Sequence, residues 1–275
     1  MNKNFSYTRA LRELGIAYLG NHSQSMKMRL SKENGTITYC LYLAPANMSG
    51  YEVCPCSQFC RKFCLNGSGH NKSDILARGV EGSRINNARI KRTRLFFENK
   101  ELFMQLLIHE IKRTRKYAEE HGFGFSVRLN GTSDLSPEDF VYEGKNILQI
   151  FSDVQFYDYT KCKDRFYLPK KYSNYDLTFS YNGYNWKDCE EFLNDGGRVA
   201  VVFDTETMPK YFNEYIVING NLYDMRYIDA INAIVYLKYH KTASNYRKDP
   251  LTGKMKYYPS KTPFVVHGDD NRIIW

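Results

Sequence analysis

TITYCLYLAPANMSGYEVCPCSQFCRKFCLNGSGH, residues 36–70, is the stretch on which the reading of this chain turns. Its first eight residues, Thr36–Leu43, are β-branched, aromatic or apolar, so they read as a strand that stops at Ala44-Pro45. Directly afterwards Cys54, Cys56, Cys60 and Cys64 fall within eleven residues, in a chain with seven cysteines. Cys60 and Cys64 are four apart, so a helical turn points their thiols the same way. Pro55 pushes Cys54 towards an extended backbone. Ser49, Gly50, Gly67, Ser68 and Gly69 let the chain wrap closely around the sulfurs.

Thiols gathered at the end of a strand suggest a metal, and three chemistries compete. Structural zinc takes four Cys or His ligands, commonly in C-x2-C pairs. No such pair exists here, so zinc would add Cys56 or His70 to Cys54, Cys60 and Cys64. An iron–sulfur cluster (4Fe-4S) held by Cys54, Cys60 and Cys64, with one iron left open, suits the uneven spacing better. The plain alternative is a disulfide or a set of reduced thiols with no metal.

Downstream, strands read at 123–129, 154–159, 177–181, 198–203 and 233–237, with a shorter apolar segment at 216–218. Helices read at 4–19, 73–99, 101–120, 136–151, 186–194 and near 209–214. Strands alternating with helices predict parallel βαβ units, hence an α/β fold. The arrangement is a partial (β/α)6 barrel-like sheet or an open doubly wound one, with the cysteine-rich loop after the first strand. Either way the active end lies at the C-terminal ends of the strands. Polar residues recur there: Asn130 to Asp134, Thr160-Lys161, Asn182, Asp204, Lys238 and His240. The organisation predicted is an N-terminal helical segment (1–35), an α/β metal-binding domain (36–245) and a basic, polar tail (246–275).

Net charge is +9 and the pI about 9.0, which admits a nucleic acid or nucleotide as partner without requiring one. The N-terminus lacks the apolar core of a signal peptide, and no run is long enough to span a membrane. With an odd cysteine count this argues for a reducing cytoplasm. In the segment ARIKRTRLFFEN, Arg89, Lys91, Arg92 and Arg94, with Arg84 before it, are candidates for phosphate contacts. The ordinary reading is a solvated helix face with Ile90, Leu95 and Phe96 turned inward. His22, His109, His121 and His267 have no partner readable from the sequence.

The stretches LAPANMSGYEVCP…C…CL, ARIKRTRLFFEN, VRLNGTSDL, VQFYDYTK, YDLTFSYN, RVAVVF and DMRYIDAINAIVYLK, spread over about residues 40–240, resemble a family encoded by bacteriophages and prophages. In that family's pattern the cysteines matching Cys54, Cys60 and Cys64 recur and Cys56 is an extra. The gap from Cys54 to Cys60 is one residue shorter than in that pattern, so Cys54 and Cys56 both stand as the first ligand. The resemblance brings no activity with it, and places the protein in the host cytoplasm.

The architecture more distantly resembles radical S-adenosylmethionine enzymes, which place three cluster cysteines in the loop after the first strand of a (β/α)6 partial barrel. The spacing departs from theirs: C-x5-C-x3-C here, against C-x3-C-x2-C. The resemblance implies S-adenosylmethionine on the open iron and its one-electron cleavage to a 5′-deoxyadenosyl radical. Asn130 and Asp134 would then bind the methionine ammonium or the ribose hydroxyls, and Arg128 a carboxylate. Asp158, Lys161 and Ser180 would line the pocket. Each has an ordinary role too: Asp134 as a turn residue, Asp158 facing solvent, Lys161 as a surface charge.

Overall fold

The computed structural model describes residues 5–23, 25–250, 252–258 and 262–275. Its centre is a parallel array of β1 (Thr36–Leu41), β2 (Gly124–Arg128), β3 (Gln155–Thr160), β4 (Tyr175–Ser180), β5 (Arg198–Asp204), β6 (Tyr215–Asn219) and β7 (Ala233–Lys238). The spatial order is β1-β2-β3-β4-β5-β7-β6. The six main strands therefore fall within two residues of their expected positions.

Strand order explains how the two faces are covered. From β1 to β5 every step advances in one direction, so right-handed crossovers put the connections on one face. That face carries Tyr39, Val127, Phe156, Phe179 and Val201, all buried. It packs on α5 (Lys100–Glu120) and α8 (Trp186–Asn194): Tyr39 Oη donates to Glu110 at 2.6 Å, and the Phe179 and Phe192 rings lie 5.9 Å apart. The step from β6 back to β7 runs the other way, and the same handedness sends residues 220–232 over the opposite face. Gly220 leads that crossover, where a Cβ would collide with Val235 and the Tyr236 carbonyl.

The opposite face is polar. Thr38, Ser126, Tyr157 and Thr178 project from it, covered by the 220–232 segment and by α2 (Met26–Glu33), which the sequence reading missed. Asp224 N donates to Ser31 Oγ at 3.0 Å, and the Tyr157 and Tyr227 rings lie 5.5 Å apart.

Both ends of the chain join the sheet. Gly20–Asn21 pairs antiparallel with β1, and β8 (Val265–His267) lies parallel beside the end of β5. Ile273–Ile274 pairs with Tyr211–Phe212, so residues 246–275 contribute strands as well as polar loops. The result is a mixed α/β fold with a largely parallel sheet. The sheet runs open from Gly20–Asn21 to Ile273–Ile274, and among the described residues no pairing closes it into a barrel.

Several expected helices change. The helix expected over 136–151 is a 3-10 turn (Pro137–Asp139), a hairpin (Val141–Tyr142 with Lys145–Asn146) and a single turn, Ile147–Ile150. Glu143 and Gly144 both take positive φ, which closes a tight hairpin and cannot continue a helix. The same happens near 209–214, where Asn213 and Glu214 turn Tyr211–Phe212 into β6. The helix expected over 4–19 is Tyr7–Leu14, stopped by Gly15 in the left-handed region (residue 4 lies outside the described residues). The one expected over 73–99 is broken twice, at Gly79, which takes positive φ within α3 (Gly69–Gly82), and at Ser83, where α4 (Arg84–Glu98) begins.

Glu110 ties the N-terminal segment to this frame. Its buried carboxylate accepts from Tyr7 Oη, Leu19 N, Gly20 N and Tyr39 Oη, at 2.6–2.9 Å. Replacing Glu110 by Gln turns one oxygen into a donor and leaves two buried donors without an acceptor. We expect this to cost about 2–4 kcal/mol, read from urea unfolding.

Candidate metal centre

The cysteine loop starts at a turn in which Val53 N donates to the Ala46 carbonyl at 3.1 Å. Gln58–Phe63 then forms a 3-10 helix carrying Cys60, and Cys64 leaves it in an extended conformation. The loop after β2 holds the cysteine loop and the chain leading into it in place. Asp134 N donates to the Val53 carbonyl at 2.7 Å, Thr132 Oγ1 to the Leu43 carbonyl at 2.6 Å and Gly131 N to the Leu41 carbonyl at 3.0 Å. A Cβ on Gly131 would collide with the Tyr42 ring and the Leu41 carbonyl, so glycine is what allows this approach. From α4, Thr93 Oγ1 accepts from Ala44 N at 2.8 Å and Arg94 Nε donates to the Ser49 carbonyl at 3.0 Å.

Cys54, Cys60 and Cys64 are free thiols within each other's electrostatic reach. Burial pushes the Cys54 thiol up to about 11, with Asp134 and Cys60 adding to the rise. Burial likewise pushes Cys64 up to about 12, reinforced by Cys60 and Cys54 and opposed by Arg89. Backbone donors already point at two of the sulfurs, Ala46 N at Cys54 Sγ (3.4 Å) and Asn66 N at Cys64 Sγ (3.5 Å). Among the described residues no three His, Cys, Asp or Glu side chains converge closely enough to hold a single metal ion.

The two alternative ligands lie elsewhere. Cys56 is bonded to Cys162, a cysteine just beyond β3 that the sequence reading did not use. His70 is exposed near the start of α3. Behind Cys64 stands a buried amide network that the sequence reading also missed. Asn86 Oδ1 accepts from Asn66 and Asn71, both at 2.9 Å, and Asn71 Oδ1 accepts from Ser83 Oγ at 2.8 Å. Arg89 donates to Asn66 Oδ1 and lies over the Tyr42 ring.

The strand-end residues divide into a frame and a lining. Asn130 and Asp158 hold each other: Asp158 accepts from Asn130 N (2.8 Å) and Nδ2 (3.1 Å), while Asn130 Oδ1 accepts from Ser133 Oγ and Leu135 N. Asp158 is 1% exposed and does not face solvent. Asp134 accepts from Thr160 Oγ1 at 2.8 Å, Lys161 N at 3.0 Å and Arg165 Nη1 at 2.5 Å. Lys161 therefore contributes its backbone here, and the charge of its side chain acts on Cys189 of α8. Arg128 and Ser180 lie on the polar face, both at strand ends. Arg128 Nη1 donates to both oxygens of Asp224, at 2.9 and 3.2 Å, and its guanidinium stands 4.8 Å over the Tyr159 ring. Burial opposes the charge on Asp224, yet Arg128 and Lys27 hold its carboxyl below the usual range. These partners are 96 residues apart, and no local pattern marks them.

The family model described as Gene product 88 matches residues 15–249. The chain belongs to that family. The match spans the cysteine loop and all seven parallel strands, and is consistent with the phage-type family whose motifs the sequence resembles. No curated protein and no solved structure matches the chain. No helix among the described residues is long and apolar enough to cross a membrane.

In this family member the cations of α4 mostly have partners within the fold. Lys91 Nζ donates to the Gly15 carbonyl, Arg92 stacks 4.7 Å over Tyr18, and Arg89 and Arg94 are engaged as above. Leu95 and Phe96 are buried, as the ordinary reading has it, while Arg92 turns inward with them. A cleft of about 210 Å³ lined by Phe166, Phe192 and Arg198 lies at the other end of β5 from the cysteine loop.

Burial pushes the Asp158 carboxyl up to about 7, against the pull of Arg128 and the Asn130 donors. An acid whose folded pKa is raised stabilises the fold below its unfolded value and loses that contribution as pH rises through the folded one. Stability from Asp158 should thus be complete below about pH 4 and gone above about pH 7. Asp158→Asn should flatten the fall in unfolding free energy across that window, read by denaturant titrations at several pH values.

Proposed function

We propose that Cys54, Cys60 and Cys64 hold an iron–sulfur cluster (4Fe-4S) and that the protein is a phage-type enzyme resembling a minimal radical S-adenosylmethionine enzyme. The observation that carries this reading is that Cys54, Cys60 and Cys64 are free thiols in one short loop at the C-terminal end of the sheet. In a polynuclear centre each thiolate takes its own iron, so the sulfurs need to be near one another without meeting at one point. Amide donors to Cys54 and Cys64 favour their thiolate forms and tune such a centre. The one-directional order from β1 to β5 also suits a partial (β/α)6 arrangement with the centre at its mouth.

When bound, a cluster of this kind supplies one electron to a ligand on its open iron. The chain's own part is to bind and orient that ligand, S-adenosylmethionine in this reading. Arg128 and Ser180 face the polar side where it would lie. Asn130, Asp134 and Asp158 hold the loops around the centre, and Lys161 takes part through its backbone.

The rival reading, a zinc-stabilised nucleic-acid-binding protein, would need Cys56 or His70 as fourth ligand. With Cys56 bonded to Cys162 and His70 facing solvent, the cluster reading is the better supported.

Protein purified without oxygen should contain about four irons with matching sulfide per chain. Cys54→Ala, Cys60→Ala and Cys64→Ala should each abolish most of the iron, while Cys56→Ala and His70→Ala retain it. One zinc per chain, lost when Cys56 or His70 is replaced, would overturn the cluster reading.

A further inference from the structure

Between Lys238 and Tyr258 the chain carries six Lys and Arg against a single acid, Asp249, so this segment supplies more than half of the net charge of +9. Its centre is an antiparallel hairpin of Tyr246–Lys248 with Met255–Tyr257, which among the described residues pairs with no other strand. A two-stranded hairpin is marginal in water on its own, so it depends on what anchors it. The anchor is at its base. Tyr258 N donates to the Asn245 carbonyl at 2.7 Å, and Asn245 Oδ1 accepts from Tyr239 Oη and Thr242 N, both at 2.9 Å. Thr242 and Ala243 in turn lie against Gly67, just beyond Cys64.

Register sorts the hairpin's side chains onto two faces. Tyr246 opposes Tyr257 and Lys248 opposes Met255 on one, while Arg247 opposes Lys256 on the other. The tyrosine face turns towards the body of the protein. Its two rings are half-buried and lie 5.7 Å apart, with Lys72 of α3 5.5 Å over Tyr246 and Lys241 4.4 Å over Tyr257. The other face turns outward. By the same alternation it carries Arg247, Lys254 and Lys256, all exposed, and the exposed Tyr258 ring, over which Lys256 stands at 5.9 Å.

Charge on the outward face is poorly balanced. Arg247 and Lys256 are like charges in directly opposed positions, an arrangement that costs a free hairpin stability. The carboxylate of Asp249 accepts from Thr252 N at 2.9 Å, where it caps the turn, and reaches Lys256 only at 3.8 Å. Asp204, from the end of β5, acts on Tyr257 of the inner face. A polyanion laid on the outward face would remove the repulsion and release counterions as it binds. A single strand suits the rest of this face, since its bases are free to stack on an exposed ring while its phosphates follow the cations.

We infer that this outward face, with Arg247, Lys254, Lys256 and Tyr258, binds single-stranded nucleic acid. Because the base of the hairpin packs on Gly67, a strand held there is brought beside the cysteine loop. Nucleic acid as the substrate class of that centre rests on the cluster reading, whereas the binding itself does not.

The test is fluorescence anisotropy of a labelled oligothymidylate and a labelled oligouridylate, each of about 20 nucleotides, titrated with the full chain at several salt concentrations. Saturable binding that weakens as salt rises is expected. Arg247→Gln combined with Lys256→Gln should weaken it about tenfold and reduce the slope of log affinity against log salt by about 1.4, the loss of two phosphate contacts on a single strand. Tyr258→Leu should also weaken it about tenfold, but with the slope unchanged, because stacking releases no counterions. These side chains are exposed, so the variants should keep the fold, and Lys116→Gln, on the outer surface of α5, should bind as the parent does. No saturable binding, or a double variant that binds like the parent, would overturn the inference. A duplex bound as tightly, with Tyr258→Leu making no difference, would overturn the single-strand assignment. Binding to vesicles of anionic phospholipid but to neither oligonucleotide would overturn it in favour of a membrane surface. Iron without oligonucleotide binding would sink this inference alone, and binding without iron would sink the cluster reading alone.

Discussion

The hydrogen bond from Asp134 N to the Val53 carbonyl sets where the cysteine loop can lie. The same residue uses its carboxylate to hold Thr160, Lys161 N and Arg165, so one side chain joins the ends of β2 and β3 to the entrance of the loop. Asp134 and the Cys56–Cys162 link thus both anchor the start of the cysteine loop to the ends of β2 and β3. Breaking buried charge-assisted bonds is costly, because each freed partner must then stay unpaired out of water. Where the loop begins is thus a property of the strand-end frame rather than of the loop alone.

A second constraint acts on the other face. The return from β6 to β7 reverses the direction of winding, and handedness then lays residues 220–232 across the polar face beside α2. This segment brings Asp224, Arg226 and Asp229 into a buried space already lined by Arg128, Tyr157 and Arg198. Buried ion pairs add little net stability compared with apolar packing. The polar face is thus held by ion pairs and hydrogen bonds, set against the apolar packing of the face covered by α5 and α8.

Much of the fold was legible because alternation and β-branched runs mark buried strands, as in RVAVVF at β5 and TITYCL at β1. The hairpins at 143–144 and 213–214 were not, because three of their four turn residues are Glu or Asn at positive φ, positions where glycine is the usual signal. Helix α2 escaped because MKMRLSKE is short and mostly polar, and its helical form depends on the contact of Ser31 with Asp224 and on the Ser25 cap. The cysteines were visible from their density. The use of Asp134 and Asp158 as fasteners was not, nor was the pairing of Arg128 with Asp224, because their partners are distant in the chain and only strand order brings them together.

The central claim is that Cys54, Cys60 and Cys64 share one redox centre with an iron open to ligand. Electron paramagnetic resonance of the dithionite-reduced protein, recorded with and without S-adenosylmethionine, tests it most directly. The account predicts a cluster signal that changes shape when S-adenosylmethionine is added, and that disappears in Cys60→Ala. A reduced protein with no paramagnetic signal, or a signal indifferent to both the ligand and the cysteine substitution, would contradict it.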